Sequence, residues 1–230
     1  ADLRRALASL AFANAPGESR FRVLLCDSDG TVYVIVQPFT PLSREVYERG
    51  VKVVTAALTR HDPRLKDSSF IAESRSARAK VGGEIFEVLL THKGRIFEGM
   101  TSNFYAVALS VIARVYSPEA ISSTARGLLR REERPPRNDG ILITARQGIL
   151  LGVTRRAVLR LARGLGLSIQ YRPPRLEEEF AEAFLTSSSR GVVPIVSIDN
   201  RQVGEGKPGK WTKALSWAYQ TYVAEHSEPL

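Results

Sequence analysis

Short apolar runs, cut repeatedly by glycine and small polar residues, constrain this chain more than any other feature. RFRVLLC (20–26) and TVYVIVQP (31–38) flank the turn DSDG, and VKVVTAAL (51–58) follows. EIFEVLLTHKGRIFEG places two runs around a Lys93-Gly94 turn, and GILITARQGILLG (140–152) repeats that pattern. FAEAFLTSSSRGVVPIVSID reads as strand, small-residue turn, strand. Runs this short, bounded by turn residues, predict β-strands. Three stretches carry helical spacing instead. Residues 2–14 repeat Leu3, Leu7 and Leu10, and TKALSWAYQTYVAEH repeats Leu215, Ala218, Tyr219 and Tyr222. VTRRAVLRLARGLG sets Arg156, Arg160 and Arg163 on one face and Val158, Leu161, Ala162 and Leu165 on the other. An α/β (α+β) fold follows.

The chain has 230 residues, 43% apolar and 25% charged, enough to bury a core in the ordinary soluble balance. No apolar run approaches the ~18 residues of a membrane span, and no signal-peptide pattern opens the chain. A cytoplasmic protein with no membrane partner is the expectation. One cysteine, Cys26, excludes an internal disulfide, and His61, His92 and His226 lack metal-ligand spacing. Cys26 is expected as a small buried hydrophobe, and Trp211 and Trp217 as packing residues. The net charge of +9 is carried mainly by arginine, with a cluster around 126–137. No RNA-binding aromatic strand or zinc finger accompanies it, so a solvated basic surface without a nucleic-acid partner is expected. The chain begins at Ala1 and its one methionine is Met100, so a processed chain, or one lacking its true N-terminus, is expected.

TRHDPRLKDS is polar, contains Pro63, and marks the expected domain boundary. A small N-terminal domain would occupy 1–60, a linker carrying Lys66 would occupy 61–67, and a larger domain 68–230. Residues 109–138 hold six arginines and three prolines without a strong period. They interrupt a hairpin from Phe104 to Ala145 and read as an inserted surface excursion.

Four features bear on chemistry. In RIFEGMTSNFYAV, Glu98 ends a strand with no cation beside it in sequence. Either it is a solvated turn residue, or something remote or bound needs its charge. Gly152-Val153-Thr154 opens a helix whose N–H groups can hold a phosphate, or Thr154 simply caps that helix. Thr186-Ser187-Ser188-Ser189 can bind an anion or can be a polar loop. Lys66 lies in the polar linker. Together they suggest pyridoxal phosphate, which needs a lysine amine for its aldehyde, an acid for its ring nitrogen and a cradle for its phosphate.

On these motifs the chain resembles the class IV, fold-type IV aminotransferases, a group of branched-chain and D-amino-acid transaminases and aminodeoxychorismate lyases. The resemblance runs from Arg20 to Tyr222, apart from 109–138. It rests on PRLKDSSFI and RIFEGMTSNFYAV, 32 residues apart from Lys66 to Glu98, and on QGILLGVTRRAVL, EAFLTSSSRGVVPIV and VGEGKPGKWTKAL in the family's order. It implies a small domain, a larger barrel-like domain, pyridoxal 5'-phosphate between them, and a homodimer. Lys66 matches the lysine that carries the cofactor, and Glu98 the acid on its ring nitrogen. Val153 and Thr154 match the helix-start phosphate site, and Ser188 a second phosphate-binding hydroxyl. Ser188 and Ser189 belong to the turn whose N–H groups face the substrate carboxylate. Arg22 lies where related enzymes place a substrate-carboxylate arginine, and reads equally as a surface strand residue. Arg155 and Arg190 read as surface or structural. The implied activity moves an amino group between an amino acid, branched-chain or D-type, and a 2-oxo acid. The alternatives are aminodeoxychorismate lyase activity, a truncated inactive family member, or a basic binding module. Two departures stand out. The segment before the linker is short and lacks the family's phosphate arginine. Ile71 stands where branched-chain transaminases typically carry a tyrosine.

Overall fold

The computed structural model describes residues 2–14, 17–66, 68–109 and 140–228. The chain divides into two units, Ala1–Leu42 with Val223–Leu230, and Ser43–Tyr222. In the first unit, helix α1 (Asp2–Asn14) precedes the antiparallel hairpin of β1 (Ser19–Leu25) and β2 (Val32–Pro38). The DSDG turn closes as its sequence requires: the Cys26 N–H donates to the Thr31 carbonyl, and the Thr31 N–H donates to the Asp29 carboxylate. Cys26 is only half-buried, contrary to expectation, because it starts this turn; its Sγ lies 3.1 Å from the Ser28 hydroxyl.

In the second unit, α2 (Arg44–Arg49) leads into β3 (Val51–Ala57), and α3 (Ser69–Glu73) and α4 (Arg75–Arg78) lead into β4 (Ile85–His92). Then come β5 (Arg95–Gly99), β6 (Asn103–Leu109), β7 (Gly140–Thr144), α5 (Val153–Gly164) and β8 (Ser168–Tyr171). The unit finishes with β9 (Glu182–Ser187), β10 (Gly191–Ile198), β11 (Arg201–Gln202) and, through Tyr222, helix α6 (Lys210–His226). Pairing runs β10–β3–β4–β5–β6, and β9 pairs with both β6 and β10, closing a circuit. Closure leaves those strands without an open edge. This is the barrel-like larger domain the motifs imply. The Lys93-Gly94 turn has both residues at positive φ, 47° and 69°, the geometry that joins two antiparallel strands in their own twist.

The boundary between units falls at Leu42/Ser43 instead of the expected residue 60. The reason is pairing. β3 lies parallel to β4 and to β10 within one sheet, so 58–84 is the crossover between two neighbouring strands of that sheet. A second difference concerns GILITARQGILLG. Its first half is β7, but its second half is not a strand, because side chains take its backbone groups. The Asn103 amide donates to the Leu150 carbonyl at 2.7 Å, and the Leu150 N–H donates to Glu98 at 3.0 Å.

The core lies where α5 and α6 cover the sheet. Tyr105 and Phe184, register partners on β6 and β9, stack at 4.7 Å, and Val158, Ala162, Trp211 and Leu215 pack over this region. Arg156, Arg160 and Arg163 face solvent, as the helical spacing predicts. Trp211 is buried; Trp217 is not a packing residue, being 71% exposed on the opposite face of α6. Residues 110–139, and with them nearly all of the expected excursion at 109–138, lie outside the described residues.

Candidate active site

Three neighbouring strands set the site's frame. Glu98 on β5 pairs with Asn103 on β6, which pairs with Thr186 on β9. The turns after Glu98 and after Thr186 therefore emerge at the same end of the sheet. Gly99 makes the first of these turns possible: its N–H donates to the Ser102 carbonyl at 2.8 Å, and a Cβ there would fall 2.1 Å from the Ser102 hydroxyl.

Glu98 is buried and both its oxygens are engaged. Oε1 accepts Arg60 Nε at 2.7 Å, and Oε2 accepts the Leu150 N–H at 3.0 Å. Burial pushes its carboxyl above the ordinary value, while the Leu150 N–H, Arg60 and more weakly Arg155 pull it down. So Glu98 is not a solvated turn residue. It is a buried carboxyl whose remaining lone pairs can accept a further cationic donor.

A second buried carboxylate, Glu87 on β4, fastens the two turns together. It accepts the Thr101 N–H at 3.0 Å and the Ser102 hydroxyl at 3.3 Å, and pairs with Arg190 at 2.8 Å. Arg190 also donates to the Thr101 hydroxyl at 2.6 Å and to the Ser187 hydroxyl at 3.1 Å. Tyr47 donates to the Arg190 carbonyl at 2.9 Å. Arg190 is thus structural, one of its two expected readings. Ser188 is exposed and Ser189 half-buried in the turn this network holds.

The start of α5 adjoins the same place. Gly152 is the N-cap, and no side chain caps the helix, so Thr154 does not serve as its cap. Thr154 is buried, its hydroxyl 3.3 Å from the Tyr219 hydroxyl. A Cβ at Gly152 would fall 2.6 Å from Asn103 Oδ1, the amide that holds the Leu150 carbonyl. Val153 is 77% exposed and follows this uncapped glycine. Arg155 is buried and donates to the Thr144 hydroxyl and the Ala145 carbonyl at 2.8 and 2.6 Å; its role is structural.

Lys66 is exposed on the β3–β4 crossover. The residues that bracket it both reach the Glu98 turn. Arg60 bonds Glu98 and the Met100 carbonyl, and Phe70 packs with Met100 and Val88. Arg22 lies exposed on β1 opposite Ile35, in the other unit. Within the larger unit the structure therefore gathers Glu98, the α5 start and the Ser188–Ser189 turn, with the Lys66 segment anchored beside Glu98. Sequence reading missed Arg60 and Glu87. Glu87 left a signal, an acid inside the apolar run EVLL, whereas Arg60 looked like one more polar residue of a linker.

The family model for amino-transferase class IV matches residues 1–198, and the chain belongs to that family. It is 29% identical over 196 residues to a branched-chain-amino-acid aminotransferase of Pseudomonas aeruginosa, covering 81% of this chain and 54% of that protein. It is 29% identical over 140 residues to a D-alanine aminotransferase of Bacillus licheniformis, covering 60% of this chain and 40% of that one. The chain spans about half the length of the curated relatives it matches. Among solved structures, a branched-chain amino acid aminotransferase of T.th. with pyridoxamine 5'-phosphate superposes with a TM-score of 0.73. That match has 20% identity and covers 98% of this chain and 72% of the other, and it shows the shared fold.

Proposed function

We propose that this chain takes part in pyridoxal-phosphate-dependent transamination, moving an amino group between an amino acid, branched-chain or D-type, and a 2-oxo acid. The single observation that carries the reading is the buried Glu98 carboxylate, held by Arg60 and the Leu150 N–H beside an uncapped helix start. The residues present fit the cofactor: a carboxylate for a ring nitrogen, and a helix N-terminus opened by glycine for a phosphate. When bound, pyridoxal phosphate supplies an electron sink for the substrate α-carbon.

The chain's own residues would act as follows. Lys66 would hold the cofactor, and its amine would move the proton at the substrate α-carbon as general acid and base. Glu98 holds the proton on the ring nitrogen. The Val153 and Thr154 N–H groups and the Ser188 hydroxyl bind the phosphate. The turn of Ser188 and Ser189 would orient the substrate carboxylate. A homodimer in the cytoplasm is the proposed setting, on the family resemblance; no helix among the described residues is long and apolar enough to cross a membrane.

Both branches occur among the named relatives, so the substrate is to be read directly. The cofactor-loaded chain is mixed with single L- and D-amino acids, and the shift from the pyridoxal to the pyridoxamine absorbance is followed. A shift with one stereochemical series and its reversal by the matching 2-oxo acid is the expected result. Pyruvate release from aminodeoxychorismate without such a shift would replace transamination with the lyase reading.

A further inference from the structure

We propose that Arg60 is a positioning residue for this chemistry: it keeps Glu98 an anion and fixes the segment carrying Lys66 against the turn that follows Glu98. The inference rests on the transamination reading for its consequence, and on the geometry alone for the clamp itself.

Arg60 makes three contacts with one planar group. Nε donates to Glu98 Oε1 at 2.7 Å, a terminal nitrogen donates to the Met100 carbonyl at 2.8 Å, and the guanidinium carbon lies 3.8 Å from the centre of the Phe70 ring. The Arg60 and Glu98 side chains are only 10% and 3% exposed. Water therefore screens this pair little.

The partners matter as much as the pair. Arg60 stands six residues before Lys66, and Phe70 four after it. The guanidinium bonds the acid's turn on one side and stacks on the helix that follows Lys66 on the other, so both ends of the lysine segment are tied to Glu98 and Met100. Among the described residues, the charged groups acting on Glu98 are Arg60 and, more weakly, Arg155. Its strand neighbours offer only Leu90 and Asn103, and the run beyond β7 offers only the Leu150 N–H. Without Arg60, burial would favour the protonated acid. A neutral acid cannot hold a proton on a ring nitrogen by charge. Lysine at position 60 would restore the charge but not the fork and the stacked plane that reach Met100 and Phe70 together.

The test compares wild type, R60Q and R60K as full chains. Glu98 is titrated by carbon-13 NMR of glutamate carboxyls, assigned with E98Q, and hydrogen exchange is read over 61–73. R60Q is expected to raise the Glu98 midpoint by about 1–3 pH units, and R60K to leave it near wild type. Both are expected to speed exchange of 61–73 by about tenfold, in keeping with a lost anchor of ordinary strength. In cofactor-loaded protein, R60Q slows α-proton removal at neutral pH and recovers as pH rises past the new midpoint, a profile that a merely structural role would not produce. An unmoved Glu98 midpoint in R60Q overturns the proposal. Should R60Q fail to fold, R60K decides: wild-type exchange over 61–73 in R60K overturns the clamp. If wild type takes up no pyridoxal phosphate, the transamination reading fails, while titration and exchange still decide what Arg60 does.

Discussion

Glu98 lies one residue before the end of β5 in the buried interior, where an isolated carboxylate would be protonated rather than charged. Its raised carboxyl carries a stability consequence. The folded chain binds this proton more tightly than the unfolded chain, whose ordinary value is near 4.5. Glu98 therefore favours the folded state most at low pH. That contribution is lost as pH rises from the ordinary value through the raised one. Denaturant titrations across that window should show wild-type stability falling more steeply with pH than that of Glu98→Gln, and equal slopes would contradict the burial argument. In cofactor-loaded protein, Glu98→Gln should retain the ligand but slow α-proton transfer by about 10²-fold or more, measured by single-turnover absorbance. Turnover near wild type would make Glu98 an ordinary buried acid. The acid itself was legible in sequence, because a carboxylate closing a strand before a small-residue turn is unusual chemistry. Its cation was not. Arg60 is 38 residues away, across a crossover whose course depends on the parallel pairing of β3 and β4.

Among elements, the helices show how remote residues finish what local sequence begins. Helix α6 follows the GEGKPG loop, and its first N–H groups are capped from another strand. Glu182 on β9 accepts the Trp211 and Thr212 N–H groups at 3.0 and 2.7 Å and the Thr212 hydroxyl at 2.7 Å. Gly209 leaves room for it: a Cβ there would fall 2.1 Å from the Glu182 carboxyl carbon. Glu182→Gln should cost about 1–3 kcal/mol, since charged acceptance by two N–H groups and a hydroxyl is weakened in a buried place. Gly209→Ala should destabilise at least as much, because it displaces the cap; chemical denaturation midpoints check both. Helical periods made α1, α5 and α6 legible, and the Lys93-Gly94 turn made the β4–β5 hairpin legible. GILLG was misread as a strand because apolar periodicity cannot show that Glu98 and Asn103 claim the Leu150 backbone.

For the whole molecule, the closed circuit explains why the site's parts meet although their motifs are scattered. β6 and β9 are neighbours, so the turns at 99–102 and 187–190 share an end of the sheet. The fold class was legible from strand spacing and the family motifs. The boundary was not, because the polar crossover at 58–84 has the composition of an interdomain linker. β6 and β7 pair at Leu109 and Gly140, the two ends of the arginine-rich stretch. Replacing 110–139 with a short glycine-containing turn should therefore preserve pyridoxal phosphate affinity and oligomeric mass, measured by absorbance titration and light scattering; loss of both would show that the stretch is structural. Lys66, in the segment that Arg60 and Phe70 anchor to the Glu98 turn, is the proposed carrier of the cofactor. The most direct test is to incubate the chain with pyridoxal phosphate, reduce with borohydride, digest, and map the modified lysine by mass spectrometry. The expected result is one phosphopyridoxyl group on Lys66, a yellow protein before reduction, and a folded but colourless Lys66→Ala. A yellow Lys66→Ala, or a label spread over other lysines while Lys66 stays free, would contradict it.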